Sequence, residues 1–291
     1  MVLFRALVAA WSVGLLLCFA GPATAARRGD PPTGLVVGET FTLVSAVLGE
    51  TRRINVYLPP GYADSAELRL PVLYTPDGGM TEDFLHVAGL VQVSVGNGPM
   101  RPFVLVGIEN TARRRDLTGP TENAADRKIA PKVGGSAAFR QFMRTELMPA
   151  IRARYRTTAE TAIVGESLAG LFVVETLLLE PDLFDTYRAF NPSLWWNNEQ
   201  LVKRAGSLLK AQPGLKKTLY LASSDEPGIV AGTQRLAAVL ETKVAPGLTW
   251  HYEPMPTETH RTIYHPAALK GFRVVLAPRP AGRGGAQVAR W

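Results

Sequence analysis

Cysteine is almost missing from this chain of 291 residues: the single one, Cys18, stands in an apolar segment at the very start. From residue 26 onward there is no disulfide, no thiol nucleophile and no thiolate metal ligand. Histidine is scarce as well, at four residues. None of them is grouped with Asp or Glu at metal-ligand spacing, so neither a metal nor an organic cofactor is expected. Basic residues are scattered through 113–132, 203–217 and the C-terminal end, without aromatic interleaving and without a single basic helix. The net charge of +7 therefore supports weak attraction to anionic ligands or surfaces, and no nucleic-acid partner is expected. The remaining composition is ordinary for a globular protein, which excludes a fibre or a disordered chain.

The first 25 residues, MVLFRALVAAWSVGLLLCFAGPATA, differ from the rest. One positive charge at Arg5, an apolar stretch over 6–20 and the small residues Ala23-Thr24-Ala25 form the pattern of a secretory signal peptide. The apolar stretch is short for a spanning helix. A mature chain starting near Ala26, periplasmic or secreted and without stable membrane insertion after cleavage, is the expectation. Residues 26–276 then read as one domain and 277–291, rich in Pro, Gly and Arg, as a flexible tail.

Two extended segments, about 38–48 and 51–58, suggest an antiparallel pair joined near Gly49. Beyond them, PVLYTPD (71–77) and PFVLVGIE (102–109) are short continuous apolar runs bounded by turn residues, as buried parallel strands are. In the segment 136–155, Phe139, Phe142, Met143, Leu147, Ile151 and Tyr155 recur at three- and four-residue spacing and mark one helix face packed into the core, with Ser136 as its cap. Further strands are expected at 161–165, 187–191, 217–223 and 248–253, and helices at 168–180, 197–211, 229–243 and 265–276. This alternation predicts one mostly parallel sheet covered by helices on both faces.

TAIVGESLAG (161–170) lies where a strand should meet a helix. A nucleophile elbow there forces its serine into a strained backbone, and the residues two before and two after must be small. Gly165, Ser167 and Ala169 satisfy that need, with Gly170 following. The alternative is a glycine-rich turn whose serine only caps a helix.

A nucleophilic serine needs a base and an acid, in the order Ser, acid, His along such a chain. His86 precedes the serine, and His251 sits within a strand. His260, in the loop PMPTETHRTIYHP, is the favoured base over His265, which begins the last helix. Asp225 and Glu226 follow a strand end and precede a Pro-Gly turn, and either could serve as the acid. For the oxyanion, the N–H of Leu168 at a helix N-terminus and an amide from Gly78-Gly79, here Gly79, are the expected donors.

The segments NVYLPPGY (55–62), DGG (77–79), GIENTARRRDLTGP (107–120), GESLAGLFVVETLL (165–178), FNPSLWWNN (190–198) and ETHRTIYHPAALKGF (258–272) occur in this order. In these the chain resembles the putative-esterase family of α/β-hydrolases, which includes siderophore and enterobactin esterases and the esterase D group. The resemblance implies an α/β-hydrolase fold: a three-layer sandwich with a mostly parallel central sheet and an antiparallel N-terminal strand pair. It implies a serine esterase acting on a small-molecule ester through Ser167 and His260, with Glu226 matching the acid better than Asp225, although some siderophore esterases work with a Ser-His dyad. It also points to Arg114 and Arg115, beside Arg113, and to Trp195 and Trp196 as pocket residues, the alternatives being a solvated basic loop and tryptophans that pack a loop. An acyltransferase would use the same triad with another acceptor, and a noncatalytic hydrolase-fold binding protein is the reading from a different class.

Overall fold

The computed structural model describes residues 33–129, 132–242 and 245–278. The expected signal segment 1–25 lies outside the described residues, as does the expected tail beyond residue 278. Eight strands form one sheet: β1 (Glu39–Ser45), β2 (Glu50–Tyr57), β3 (Leu70–Pro76), β4 (Val104–Ile108), β5 (Thr157–Glu166), β6 (Thr186–Phe190), β7 (Thr218–Ser223) and β8 (Thr249–Pro254). Their order is β1-β2-β4-β3-β5-β6-β7-β8. β1 runs antiparallel to β2, and β2 antiparallel to β4; every other pairing is parallel. Gly49, with φ 67°, turns the β1–β2 hairpin where the sequence placed the turn.

The strands that read as continuous apolar runs are buried on both faces. β3, β4 and β6 have no exposed residue, because helices cover the sheet from either side. One side holds α4 (Ser136–Phe142), α5 (Met148–Arg154), α6 (Leu168–Leu179), α7 (Trp196–Lys210) and α8 (Pro227–Glu241); the other holds α1 (Phe84–Gly96) and α9 (Tyr264–Val275). Two short helices, α2 (Arg113–Asp116) and α3 (Ala124–Ile129), lie in the excursion after β4. α6 is buried along almost its whole length, which is why LAGLFVVETLLL shows no polar stripe. α1 carries no sharp apolar period either, since Leu85 and Val93 remain exposed among its buried valines, and no helix is legible there from the sequence alone.

The 136–155 segment is not one regular helix. A π-helical turn over Met143–Leu147 separates α4 from α5, and this insertion lets Phe139, Phe142, Met143, Leu147 and Ile151 all reach the core. Glu146 in that turn accepts the amides of Ala46 (2.9 Å) and Val47 (3.0 Å), fastening the β1–β2 hairpin. Tyr155 falls past the end of α5 in extended backbone; its ring packs partly buried against the core and its hydroxyl donates to Glu39 (2.8 Å).

The excursion after β4 is held by a buried ion pair. Arg52 on β2 and Asp116 at the end of α2 are both fully buried; Arg52 Nη1 donates to Asp116 Oδ2 (2.7 Å), and its guanidinium lies over the rings of Phe139 and Phe142. Removing Asp116 leaves Arg52 with the partly exposed Glu50 (2.7 Å) as its remaining anion. Asp116→Ala is therefore expected to lower unfolding free energy by less than the about 3–5 kcal/mol of a stranded buried charge and by more than the at most about 1 kcal/mol of a surface pair such as Arg235 with Glu199, measured by urea denaturation.

Candidate active site

Ser167 joins β5 to α6 with φ 60° and ψ −119°, a conformation that a residue with a side chain adopts only when its surroundings enforce it. Two backbone bonds hold it there: its N–H donates to Phe190 O (3.0 Å), and its carbonyl accepts from Ser193 N–H (3.0 Å). A Cβ on Gly165 would stand 2.7 Å from the Ala169 carbonyl carbon, and one on Gly170 would stand 2.9 Å from Phe190 O. The positions that require glycine are therefore 165 and 170, and the methyl of Ala169 fits because Gly165 leaves it room.

His260 is carried by the loop between β8 and α9, where Thr259 O accepts the amides of Thr262 and Ile263 (both 3.1 Å). Its Nε2 lies 3.1 Å from Ser167 Oγ, the distance at which an imidazole can take or return a hydroxyl proton. The other ring nitrogen, Nδ1, faces three groups: Asn191 Nδ2 at 2.6 Å, Glu166 Oε1 at 3.3 Å and Glu226 Oε2 at 3.9 Å. Glu226 is half exposed at the start of α8. Asp225 is exposed, and its backbone N–H donates to Glu258 O; the structure does not bring its carboxylate to the histidine. His265 pairs instead with His86 (3.1 Å), and His251 with Glu253.

Glu166 and Asn191 were not singled out in the sequence. Glu166 occupies a variable position of the elbow pattern, and Asn191 follows β6, so only the sheet register that aligns Glu166 with Phe190 brings them together beneath His260. Asn191 is fully buried in left-handed backbone (φ 46°); its N–H donates to Ala222 O and its Oδ1 accepts Ser224 N–H, both at 2.8 Å. Burial pushes the Glu166 carboxyl up to about 8, with Arg113 opposing and Asp83, Asp77 and Glu226 reinforcing the rise. Asp83 is raised to about 6, also mainly by burial and then by Asp77. Arg113 supplies the positive charge here, binding Asp77 through Nε and Nη2, each at 2.7 Å.

Several expected pocket residues have other work. The Gly79 N–H donates to Glu82 Oε2 (2.7 Å) and the Gly78 N–H to Ile108 O (2.9 Å), so neither amide is free for an oxyanion. Gly78 is needed for packing: a Cβ there would lie 2.2 Å from Ile108 N. Leu168 is the first residue of α6, where an N–H has no acceptor within the helix. Arg115 is paired with Glu50 (2.7 Å) and Asp116 (2.6 Å), so its guanidinium is already bound by two carboxylates. This pairing also holds Glu50 down at about 2. Trp196 is buried with its indole N–H on Gly119 O (2.9 Å), so it packs the core and does not form a wall. Trp195 is partly buried against it, with ring centroids 6.0 Å apart. Arg114 is exposed and donates to Ile129 O (3.0 Å).

The strain at Ser167 is testable without a substrate. Glycine has no Cβ to oppose φ 60°, so Ser167→Gly is expected to raise unfolding free energy by about 1 kcal/mol in chemical denaturation.

Comparison with known proteins agrees with this architecture. Residues 45–243 match the family described as "Putative esterase". The chain is 31% identical over 194 residues to the ferri-bacillibactin esterase BesA of Bacillus subtilis, covering 61% of this chain and 66% of that protein. It is likewise 31% identical over 207 residues to the siderophore triacetylfusarinine C esterase of Aspergillus fumigatus, covering 63% and 66%. These matches span just under two thirds of the length of the two curated relatives. The crystal structure of an IroE-like serine hydrolase from Shewanella oneidensis superposes with a TM-score of 0.75 at 28% identity, covering 82% of this chain and 80% of that one. The sheet order and its helical layers are those of the α/β-hydrolase fold.

Proposed function

The chain belongs to the putative esterase family, and we propose that it is an exported serine hydrolase that cleaves carboxylic esters through an acyl-enzyme on Ser167. The observation that carries this reading is the 3.1 Å approach of His260 Nε2 to a serine whose backbone is held at φ 60° on a strand-to-helix turn. His260 accepts the Ser167 proton as Oγ bonds to the ester carbonyl carbon. The oxyanion so formed lies toward the N-terminal end of α6, where the Leu168 amide and the helix dipole favour negative charge. Collapse of the tetrahedral adduct breaks the bond to the alkoxy oxygen, which leaves with the proton from His260. Water then repeats the two steps on the acyl-enzyme, releasing the acid and restoring Ser167.

Siderophore esters are the proposed substrate class, because the two curated relatives described above are named for a ferri-bacillibactin and a triacetylfusarinine C ester. Export rests on the signal-like pattern of residues 1–25. Among the described residues no helix is long and apolar enough to cross a membrane. Protein recovered from outside the cytoplasm is expected to begin at Ala26 by N-terminal sequencing; a mature chain beginning at Met1 would contradict export by cleavage.

Purified protein is expected to release p-nitrophenol from short-chain p-nitrophenyl esters. Ser167→Ala and His260→Ala, with folding verified by circular dichroism, should each lose at least about 10³-fold in kcat/KM. Retention of the rate in Ser167→Ala would refute the nucleophile assignment. Ferri-bacillibactin is expected to show a kcat/KM at least tenfold above that of p-nitrophenyl acetate, on the order of 1.4 kcal/mol of extra transition-state stabilisation.

A further inference from the structure

His260 Nδ1 is contested by groups of opposite character. Asn191 cannot rotate freely, because its Oδ1 is engaged by the Ser224 amide; this turns its NH2 group toward Nδ1 at 2.6 Å. An amide N–H donated to Nδ1 leaves the imidazole proton on Nε2, pointing at Ser167 Oγ, and an imidazole protonated there cannot accept the serine proton. Glu166 Oε1, 3.3 Å from the same Nδ1, is buried and has no hydrogen-bond partner among the described residues. An ionised carboxylate at that place would draw the proton to Nδ1 and leave the Nε2 lone pair facing Ser167. Glu226, at 3.9 Å and half exposed, is the weaker competitor in both distance and surroundings.

We propose that Glu166, not Glu226, is the positioning carboxylate of His260, and that Asn191 holds the imidazole in the opposite tautomer until Glu166 is ionised. The inference rests on the reading of Ser167 and His260 as nucleophile and base. Glu166 loses its proton to solvent, the imidazole proton moves from Nε2 to Nδ1 through solvent exchange, and the Nδ1–H then donates to the carboxylate. When Nε2 takes the serine proton, the resulting imidazolium lies against an anion. The proton on Nδ1 stays in place throughout the acylation.

The charged and titratable groups facing Glu166 come from every neighbouring element. They are Asp77 and Asp83 before α1, Arg113 on α2, Glu226 at α8, His260 in the β8–α9 loop and Tyr264 on α9. Arg113 favours the ionised form, but its guanidinium is bound by Asp77, so the surrounding carboxylates and burial dominate. Ionisation is therefore delayed to higher pH, and the active tautomer gains population as pH rises.

The test is the pH profile of kcat/KM on p-nitrophenyl acetate for wild type, Glu166→Gln, Glu226→Gln and the double variant Glu166→Gln/Asn191→Asp. Wild type should show activity rising through a limb near pH 8. Glu166→Gln should lose that limb and at least about 10²-fold of kcat at pH 9, with KM little changed, while Glu226→Gln keeps the limb, moved toward lower pH by the lost neighbouring charge, and keeps the plateau rate to within about threefold. Asn191→Asp places a carboxylate directly against Nδ1 while preserving the acceptor for Ser224, and in the Glu166→Gln background it should restore at least about tenfold of the lost kcat. A merely structural role for Glu166 would not be repaired from position 191. A wild-type limb near pH 6–7 alone, or loss of activity in Glu226→Gln with Glu166→Gln unaffected, would overturn the proposal, and the first of these needs no variant to fold. Ester turnover that survives Ser167→Ala would overturn the nucleophile reading as well, a result separable from the failure of Glu166 alone.

Discussion

The backbone of Ser167, held at φ 60°, is the constraint around which the neighbouring residues are arranged. It can persist only because β5 lies in the interior of the sheet, with β3 on one side and β6 on the other, and because α6 leaves it immediately. Gly165 and Gly170 remove the two Cβ atoms that would otherwise strike Ala169 and Phe190 O. The bonds from Ser167 N–H to Phe190 and from Ser193 N–H back to Ser167 fix the turn against the end of β6. The same β6 end then supplies Asn191 to His260. Strain at one residue and the placement of the base are consequences of a single packing arrangement.

Electrostatics at this site differ from those of an exposed serine-histidine pair. Three carboxyl groups, Asp77, Asp83 and Glu166, share one buried or half-buried region with one bound arginine. Burial first, and the neighbouring like charges second, push Glu166 and Asp83 upward, while Arg113 keeps Asp77 paired. Below about pH 8 the folded chain holds a proton on Glu166 that the unfolded chain releases above its ordinary carboxyl range. This carboxyl therefore makes folding less favourable as pH climbs between those two values, the opposite of a salt-bridged carboxylate. The energetic cost of a buried ionisable group is a common mark of a functional position.

Much of the architecture was legible in the sequence. The strands announced themselves as apolar runs, the β1–β2 turn by Gly49, and the elbow by small residues placed around Ser167 at a strand-to-helix junction. α1 escaped notice because its valines and Gly89 blur the helical period, and the π turn in 143–147 has no pattern of its own. At the site, chain order was enough to bring out Ser167 and His260, which are 93 residues apart and lie 3.1 Å from one another. It was not enough for Glu166 and Asn191, whose meeting depends on the register between β5 and β6 and on the loop after β8. Arg115 and Trp196 looked like ligand-facing residues because a basic run and paired tryptophans stand out in one dimension. Glu50 and the Gly119 carbonyl come from segments 65 and 77 residues away, and Asp116, though next to Arg115 in the chain, is drawn inward by its pair with Arg52.

The most direct test of the central claim is covalent capture of the nucleophile. Purified protein treated with a serine-directed fluorophosphonate and digested should show, by mass spectrometry, one phosphonylated peptide carrying the adduct on Ser167. The account predicts that the adduct forms in wild type and disappears in Ser167→Ala. An unlabelled wild type, or an adduct on another serine that persists in Ser167→Ala, would contradict it.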